Sequence, residues 1–537
     1  MYKELKFTLT DTSLTNTSTA LTHAPDGWAD ASMSMERQKK YYGVFRNFSV
    51  PMKWAKDGAT ILRTVFYTSG LGSLVNVTIE KLDKYTLTYE TVFTGKIDFT
   101  TFRDNDYFVE ANVIDGSLAE IIKNREGDDI DLTTDHYILA YTPTTKPYVT
   151  IVGTLMHCYA TEPWYVFQAL VNKMTDGGVV AGTYGFKSTL LQGWAELPGT
   201  DPHYFITNES AIKCAGNSGN AVFTLITSLS DFFASINAIL PIGLGVEVIA
   251  GVETLVLEER EYFFDQTSII TTLLGEVKNL GLSLCQDLIF SKIKCGWPNV
   301  SYSGTANSGN NENSNNEPNT ETKFTIPTVI VKTEYDILGK YRADYEGITE
   351  AQLAGSEEVD TKDYGLFIVE LAKSQHGGAY QQILGKVRKK TAPATEFYTG
   401  HVFFSPKRCL LRHQTFIESC CMGLVGQDVT FATGTNDQAN NETAHNLTPT
   451  VWEKEYEGFT ITDSGYFKPV LIDFEVPYPQ TMISLINAAP TGILGFYYQE
   501  NLYYGYLWKT ETKLGGRGSV KFTLLSIKSN DLTKLAR

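Results

Sequence analysis

A short stretch near the start of the chain constrains the fold most, because its side chains alternate in character. One set points in one direction, and the intervening residues point in the other; the first set is Tyr85, Leu87, Tyr89, Thr91 and Phe93. A period of two is typical of a half-buried antiparallel strand. The first seven residues alternate in the same way, so residues 1–155 are predicted to form an N-terminal β domain, a sandwich or a small barrel.

Length and composition agree with a β-rich protein of several domains. The chain has 537 residues, of which 42% are hydrophobic and 20% are charged, as in ordinary globular proteins. Aromatic residues make up 12%, with 30 Tyr and 29 Phe, and aromatic side chains pack well on pleated sheets. We therefore expect a predominantly β α+β fold of several sandwich or barrel-like modules, with helices in a middle module.

The charge of the chain limits its partners. The formal net charge is −16, which disfavours binding to nucleic acid and to anionic lipid surfaces. We therefore expect no specific nucleic-acid partner. The longest apolar run, Ile236–Val252, contains Pro241, three Gly and Glu247. Such a run cannot form an uninterrupted spanning helix, so no membrane insertion is expected. No secretory signal peptide is predicted at the start of the chain.

The cysteines indicate a reducing compartment. Cys420 and Cys421 are adjacent, and the other five cysteines are spread along the chain. An odd number of scattered cysteines in a long chain favours reduced, mostly buried thiols, and hence assembly in a cytoplasm.

Four further segments follow the N-terminal domain. Residues 156–298 are predicted to mix helix and strand: a helix from about Asn220 capped by Ser218 or Asn217, a hairpin turning at Ala250-Gly251, and a second helix from Ser268 to Leu280. Residues 299–325 are predicted to be a flexible Asn/Gly/Ser-rich segment, because residues 306–318 contain no large apolar side chain. Residues 326–400 are predicted to form a mixed β module, and residues 401–537 a C-terminal β-rich domain with a short helix at 482–487.

The motifs of catalysis and cofactor binding do not emerge from the sequence. Gly243-Leu244-Gly245 lacks the third glycine of a phosphate loop and is interpreted as a turn. A group of His401, Cys409, His413 and Cys420 fits no metal-binding spacing, so buried His and thiols are the preferred interpretation. Two carboxylate pairs, Asp463 with Glu475 and Asp104 with Asp106, are not distinguishable from solvated surface. We assign no catalytic, cofactor-binding or metal-binding residue.

An aromatic hairpin near the end of the chain is the strongest candidate for a binding surface. Its rings are Tyr497, Tyr498, Tyr503, Tyr504, Tyr506 and Trp508. One interpretation is a stacking platform for a glycan or a protein partner, with Tyr498, Tyr503, Tyr504, Tyr506 and Trp508 as the interface or stacking residues. The other, which we favour, is a sheet with one aromatic face in the core and the other packed on a neighbouring module. An oligomer interface would satisfy both.

Several segments together resemble the tail and baseplate hub proteins of bacteriophages, notably those of Bacteroidota phages and prophages. The N-terminal segments are Gly27-Trp28, Met35-Glu36-Arg37, Tyr42-Gly43-Val44-Phe45 and Asp57-Gly58. The middle segment, Asp231–Trp297, resembles a hub-like module. The C-terminal segments are Phe474-Glu475-Val476-Pro477, Ala489-Pro490-Thr491-Gly492, the hairpin containing Gly505, and Phe522-Thr523-Leu524-Leu525.

This resemblance implies a structural component of the virion, a tail hub, baseplate or adaptor protein without enzymatic activity. It would be assembled in the host cytoplasm, with other copies of itself and neighbouring tail proteins as partners, around an axis through which the genome passes. A receptor- or carbohydrate-binding protein of a tail tip, with a host surface glycan as its partner, is the alternative. A glycan-cleaving enzyme is the least favoured of the three.

Overall fold

The computed structural model describes most of the chain. Its described residues are 5–28, 32–82, 88–133, 148–151, 154–157, 161–194, 203–208, 224–273, 276–296, 321–325, 334–343, 365–373, 380–382, 384–388, 396–400, 409, 411–421, 424–433, 458–462, 464–477, 486, 489–513 and 519–532.

Strands dominate these residues, which confirms the predicted α+β fold with a predominance of β. The strands in the first half are β1 Leu5–Asp11, β2 Thr17–Ala20, β3 Ser32–Arg37, β4 Val44–Ala55, β5 Val75–Leu82, β6 Tyr89–Asp104, β7 Phe108–Ile114, β8 Ile130–Asp131, β9 Tyr148–Ile151, β10 Thr154–His157, β11 Tyr184–Lys187, β12 His203–Asn208, β13 Ile226–Thr227, β14 Ile242–Ile249 and β15 Val252–Glu259. Those in the second half are β16 Ile269–Leu273, β17 Lys278–Leu284, β18 Lys292–Gly296, β19 Glu321–Thr325, β20 Glu334–Leu338, β21 Leu366–Lys373, β22 Tyr380–Gln382, β23 Leu384–Arg388, β24 Glu396–Gly400, β25 Asp428–Thr433, β26 Gly458–Thr460, β27 Phe467–Pro477, β28 Ile493–Tyr498, β29 Asn501–Lys513 and β30 Ser519–Ile527.

Helices are short and separate the strands. They are α1 Lys56–Ser69, α2 Leu118–Arg125, α3 Pro163–Met174, α4 Thr189–Trp194, α5 Leu229–Ile239 and α6 Gln414–Cys420. Single 3₁₀ turns cover Gly70–Gly72, Arg260–Phe264 and Gln286–Leu288. Over the described ranges, none of the helices has both the length and the apolar content that crossing a bilayer requires.

The N-terminal strands form a sheet with one buried face. In β1 the side chains alternate strictly between buried and partly exposed positions, as the first residues of the sequence predicted. The buried face packs against α1 through an apolar core that includes Trp54, Leu62, Val65, Val77 and Phe93. Of the alternating stretch 85–93, the structure describes residues 88–93, and β6 begins at Tyr89.

The two ends of the chain belong to one sheet of thirteen strands. Its order is β17-β27-β30-β29-β3-β4-β7-β6-β5-β1-β2, with β28 also on β29 and β16 on β28. Strand β29 pairs antiparallel with β3, with Lys509 opposite Glu36 and Lys513 opposite Ser32. The sheet therefore runs from the predicted domain 1–155 into the predicted domain 401–537, and the division into separate folding units stays a prediction.

The middle module follows the predictions in part. The hairpin β14–β15 is confirmed, and Ala250 and Gly251 both have positive φ, 50° and 83°. The helix predicted from Asn220 begins instead at Leu229, because the Ser228 hydroxyl accepts the Asp231 N–H at 3.0 Å and caps it there. The proposed caps at 217 and 218 lie outside the described residues.

The second predicted helix, from Ser268 to Leu280, is wrong. Residues 269–273 and 278–284 are strands, because β16 pairs with β28 and β17 pairs with β27 in the large sheet. The β-branched run Ile269-Ile270-Thr271-Thr272 favours a strand on local grounds too. The apolar spacing that indicated a helix fitted both structures.

The C-terminal hairpin is confirmed. Strands β28 and β29 pair antiparallel, and the turn lies at Gln499-Glu500, both with positive φ, one residue before the predicted position. Strand β30 is also found where the sequence placed it. The predicted linker 306–318 and residues 482–485 and 487 of the predicted helix lie outside the described residues.

Gly243 and Gly245 lie in strand β14, so their interpretation as a turn is wrong. The ring of Phe263 covers both glycines, and the backbone of Gly43 lies against Gly245. The amide of Leu244 donates to the carbonyl of Tyr41 at 2.7 Å. Small residues are needed here because two backbone segments and a ring meet without space for a side chain.

We predict that Gly43→Ala lowers the free energy of unfolding by about 3 kcal/mol, the upper range for overpacking. Its methyl group would overlap the Leu244 carbonyl and the Gly245 Cα, and neither backbone atom can rotate away. Denaturant unfolding measures the change. Gly72→Ala is the matched control, because open space surrounds that position. Equal stability of the two variants would contradict the close approach.

Candidate functional site

The aromatic hairpin turns three of its five predicted site residues inward. Tyr503, Tyr506 and Trp508 are buried. The Tyr506 hydroxyl donates to the carbonyl of Phe264 at 2.9 Å, and the two rings meet edge to face at 5.2 Å. Tyr503 stacks on Phe496 at 5.7 Å. These three rings belong to the core, and a glycan cannot stack on them in this conformation.

The remaining rings of the hairpin are more accessible. Tyr498 and Tyr504 are half-buried, and Tyr497 is 47% exposed, opposite the exposed Leu502 on the neighbouring strand. Tyr504 is also tied down by its backbone, since Asn530 bonds both its N–H and its carbonyl. An interface or stacking role for the outer part of the hairpin stays a prediction.

Two buried arginines, Arg37 and Arg260, both contact Tyr42. We call this place the arginine junction and define it by Arg37, Tyr42, Asn237, Arg260, His413 and Phe416. Arg37 donates to three backbone carbonyls, those of Leu507 at 3.0 Å, Tyr42 at 2.5 Å and Phe263 at 2.7 Å. Burial lowers its pKa to about 10, so the guanidinium stays charged at neutral pH. One side chain thus joins segments from the start, middle and end of the chain.

Arg260 is held differently. Its guanidinium lies against both Tyr42 and Phe416, 4.3 and 4.4 Å from their ring centroids, a geometry for cation–π attraction. The two rings contact each other edge to face at 5.2 Å. Its Nη2 donates to Asn237 Oδ1 at 2.8 Å. Its Nε and Nη1 are buried, and neither has a hydrogen-bond partner in the described part of the chain. Arg260 therefore contributes ring packing and one hydrogen bond.

His413 completes the junction as a neutral side chain. Its Nε2 lies 2.9 Å from the carbonyl of Asn237, so Nε2 carries the proton and donates. Burial lowers the pKa of His413 well below its usual value, and the charge of Arg260 lowers it further. The hydroxyls of Tyr42 and Tyr335 bond each other, and burial raises the pKa of Tyr42 well above its usual value.

The described cysteines are buried. They are Cys285, Cys295, Cys409, Cys420 and Cys421, and burial raises the pKa of Cys285 and of Cys409 to about 11. Reduced, buried thiols are therefore confirmed for these five. Of the residues considered for a metal, His401 lies outside the described ranges, and within those ranges no group of three potential ligands converges.

The candidate carboxylate pairs do not form a catalytic arrangement that can be described. Asp104 accepts from Arg63 Nε at 2.8 Å and from the Tyr67 hydroxyl at 3.0 Å. The hydrogen bond from Arg63 lowers the pKa of Asp104, so Asp104 is an ionised partner in a surface network. Asp463 lies outside the described residues.

Sequence reasoning gave no role to either arginine. For Arg37 a signal was present, because the alternation in β3 places it on the same inward face as Met33 and Met35. For Arg260 no signal was available: its neighbours include Glu258, Glu259 and Glu261, a pattern typical of solvated surface.

Comparisons with known proteins give distant likenesses. No family model and no curated protein matches the chain. It is similar to the 43 kDa tail protein of prophage MuSo2 from Shewanella oneidensis, at 9% identity over 98% of this chain and 99% of that one, with a TM-score of 0.37. It is also similar to a prophage tail protein from Listeria monocytogenes, at 8% identity over 99% of this chain and 97% of that one, with a TM-score of 0.34. A tail protein from Neisseria meningitidis is similar at 7% identity over 99% of this chain and 98% of that one, with a TM-score of 0.33. Scores of this size define neither the family nor the function.

We predict different outcomes for the two arginines. Arg37→Met leaves three buried carbonyls without their donor and should lower the free energy of unfolding by about 3 kcal/mol or more. Arg260→Met removes one hydrogen bond and keeps an apolar chain against the rings of Tyr42 and Phe416, so it should cost no more than about 1 kcal/mol. Denaturant unfolding measures the free energy of unfolding of both variants. A larger decrease for Arg260→Met than for Arg37→Met would contradict the different roles given to the two arginines.

His413 predicts a dependence of stability on pH. The unfolded chain protonates this His below about pH 6.5, whereas the folded chain keeps it neutral to a much lower pH. The unfolded state then binds more protons, so stability is lost as pH falls below 6.5. His413→Gln keeps a donor for the Asn237 carbonyl and should flatten the curve of unfolding free energy against pH between 6.5 and 5. Parallel curves for the two proteins would contradict a neutral buried His413.

Proposed function

We propose that this chain is a structural component of a bacteriophage tail, a hub, baseplate or adaptor protein, that assembles with copies of itself and with neighbouring tail proteins. The observation that carries the proposal is the meeting of the resembling segments at the arginine junction. Arg37 belongs to the segment Met35-Glu36-Arg37 and bonds to Tyr42-Gly43-Val44-Phe45, which is close in the sequence. It also bonds to the 231–297 module and to the hairpin containing Gly505, which are both far away in the sequence.

This arrangement supports a scaffold role for a physical reason. A component of a tail transmits force between its neighbours, so its segments must not separate. A thirteen-stranded sheet that incorporates both ends of the chain resists separation through backbone hydrogen bonds, and a buried guanidinium bonded to three segments resists it through charge-assisted ones.

An exposed apolar patch supports assembly. At one end of the N-terminal sheet, Tyr107 is 84% exposed and Leu71 is 70% exposed, and Tyr67 and Leu74 are exposed as well. Arg63 binds both Asp104 and the carbonyl of Asn105, which joins α1 to the β6–β7 turn that carries Tyr107. Clustered exposed apolar side chains of this kind commonly mark protein interfaces.

The proposed role requires no turnover. The glycan-binding alternative loses support from the burial of Tyr503, Tyr506 and Trp508, because a stacking ring must be accessible. We therefore propose a protein-assembly function and place the chain in the virion tail, with assembly in the host cytoplasm.

Mass in solution tests the proposal. We predict that light scattering over a concentration series finds a closed oligomer, and that electron microscopy of the same sample shows rings. The double variant Leu71→Ser/Tyr107→Ser should shift the equilibrium towards monomer by about tenfold or more, since each buried apolar side chain contributes about 1.5–3 kcal/mol.

The matched control is Val180→Ser/Val425→Ser, which removes two exposed apolar side chains elsewhere and should leave the mass unchanged. A strict monomer at all concentrations would refute assembly with copies of itself. An oligomer insensitive to the Leu71/Tyr107 variant would remove the patch from the interface.

A further inference from the structure

A small pocket lies where four parts of the chain meet. Strands β3 and β4, the start of α2, the β14–β15 hairpin, and Ile486 with Pro490 surround a volume of about 50 Å³. Its walls are mainly apolar and include Met35, Val44, Val246 and Val248. Val248 is 42% exposed at the hairpin, so this wall reaches the protein surface.

The positive charge of Arg46 in the pocket wall is compensated by a carboxylate. Arg46 binds Asp115 through two bonds, Nε to Oδ2 at 2.5 Å and Nη2 to Oδ1 at 2.7 Å. Asp115 is fully buried, and the paired geometry fixes the guanidinium in the pocket wall. The charge of Arg46 is therefore balanced before any ligand enters.

Two other polar groups remain without full partners. Glu253 Oε2 accepts the Leu118 N–H at 2.7 Å, which satisfies the start of α2. Its Oε1 makes no hydrogen bond within the described ranges, and Arg46 Nη2 lies 3.8 Å from it. Ser117 is 5% exposed, and its buried Oγ has no partner among the residues that the structure describes.

These groups define the chemistry of a ligand. Asp115 and Glu253 carry two negative charges and Arg46 one positive charge, so the site has a net charge of −1. A buried hydroxyl and a carboxylate oxygen that accepts no hydrogen bond in the described residues, both next to apolar walls, suit a cationic donor on an aliphatic chain. At roughly 10–15 Å³ for each water-sized position, 50 Å³ holds about four such positions, close to the size of a butylammonium chain.

We propose that this pocket binds a lysine side chain of a partner protein, with its ammonium group donating to Glu253 Oε1 and Ser117 Oγ and its methylene chain against Val44, Val246 and Val248. The proposal rests on the assembly function proposed above and adds the chemistry of one contact. Proton transfer and covalent chemistry play no part in it.

n-Butylammonium is the probe for the pocket, and n-butanol, which has the same chain without the charge, is its control. Calorimetry with the full chain should give a dissociation constant at least about tenfold lower for the ammonium than for the alcohol, as expected for a charge-assisted bond. Glu253→Gln keeps an acceptor for the Leu118 N–H and should abolish this preference. Equal binding of the two probes, or an unchanged preference in Glu253→Gln, would overturn the proposal.

A second pair of variants tests the location. Val248→Trp places an indole at the accessible wall and should abolish butylammonium binding. Val180→Trp makes the same change at another exposed position and should leave binding intact. Thermal unfolding confirms that both variants fold, and binding that survives in Val248→Trp would exclude this pocket.

Measuring the oligomer fraction tests whether a lysine of a partner protein occupies the pocket. If a lysine of a partner fills the pocket, Glu253→Gln should lower the oligomer fraction while the matched surface change Glu500→Gln does not. Normal assembly of Glu253→Gln would overturn the partner-lysine proposal and leave the assembly function standing. A wild-type monomer that binds butylammonium would instead refute the assembly function and leave the ammonium preference of the pocket standing.

Discussion

The structure depends most on the bonds that Arg37 makes in the core. A charged group inside a protein must be compensated, and Arg37 is compensated by carbonyls of Tyr42, Phe263 and Leu507. Because these carbonyls come from distant parts of the chain, the three hydrogen bonds of the guanidinium form together only when all three segments are in place. This requirement penalises partly assembled folds more than apolar packing would, since apolar contacts can be lost one at a time.

The close approach of Gly43 to β14 follows from the same junction. Arg37 draws in the Tyr42 carbonyl, and the next residue then lies directly on Leu244 and Gly245. The ring of Phe263 covers the same glycines, and its carbonyl is another acceptor of Arg37. Glycines at positions 43, 243 and 245 are thus a consequence of how the guanidinium is satisfied. A side chain at any of them would separate the segments that Arg37 joins.

The sequence pattern correctly predicted the elements whose paired strands are adjacent in the sequence. The β14–β15 and β28–β29 hairpins combine apolar strands with a turn that tolerates positive φ, and both were predictable. The segment 268–280 was not, because its apolar spacing fits a helix as well as a strand, and its pairing with β28 and β27 involves residues about two hundred positions away. The arginine junction could not be predicted for the same reason. Arg260 is surrounded by glutamates in the sequence, and only the fold brings it against the rings of Tyr42 and Phe416.

The guanidinium groups of Arg37 and Arg46 are compensated by different kinds of acceptor, and the difference bears on function. Arg37 uses backbone acceptors, which no substitution elsewhere in the chain can remove, so its role is to fix the fold. Arg46 binds the carboxylate of Asp115 and lies 3.8 Å from Glu253 Oε1, an oxygen that accepts no hydrogen bond in the described residues. A scaffold needs the first kind of site in its interior, where rigidity matters. It needs the second kind where strands from different modules reach the surface, because a carboxylate oxygen there that accepts no hydrogen bond is available to a neighbouring protein.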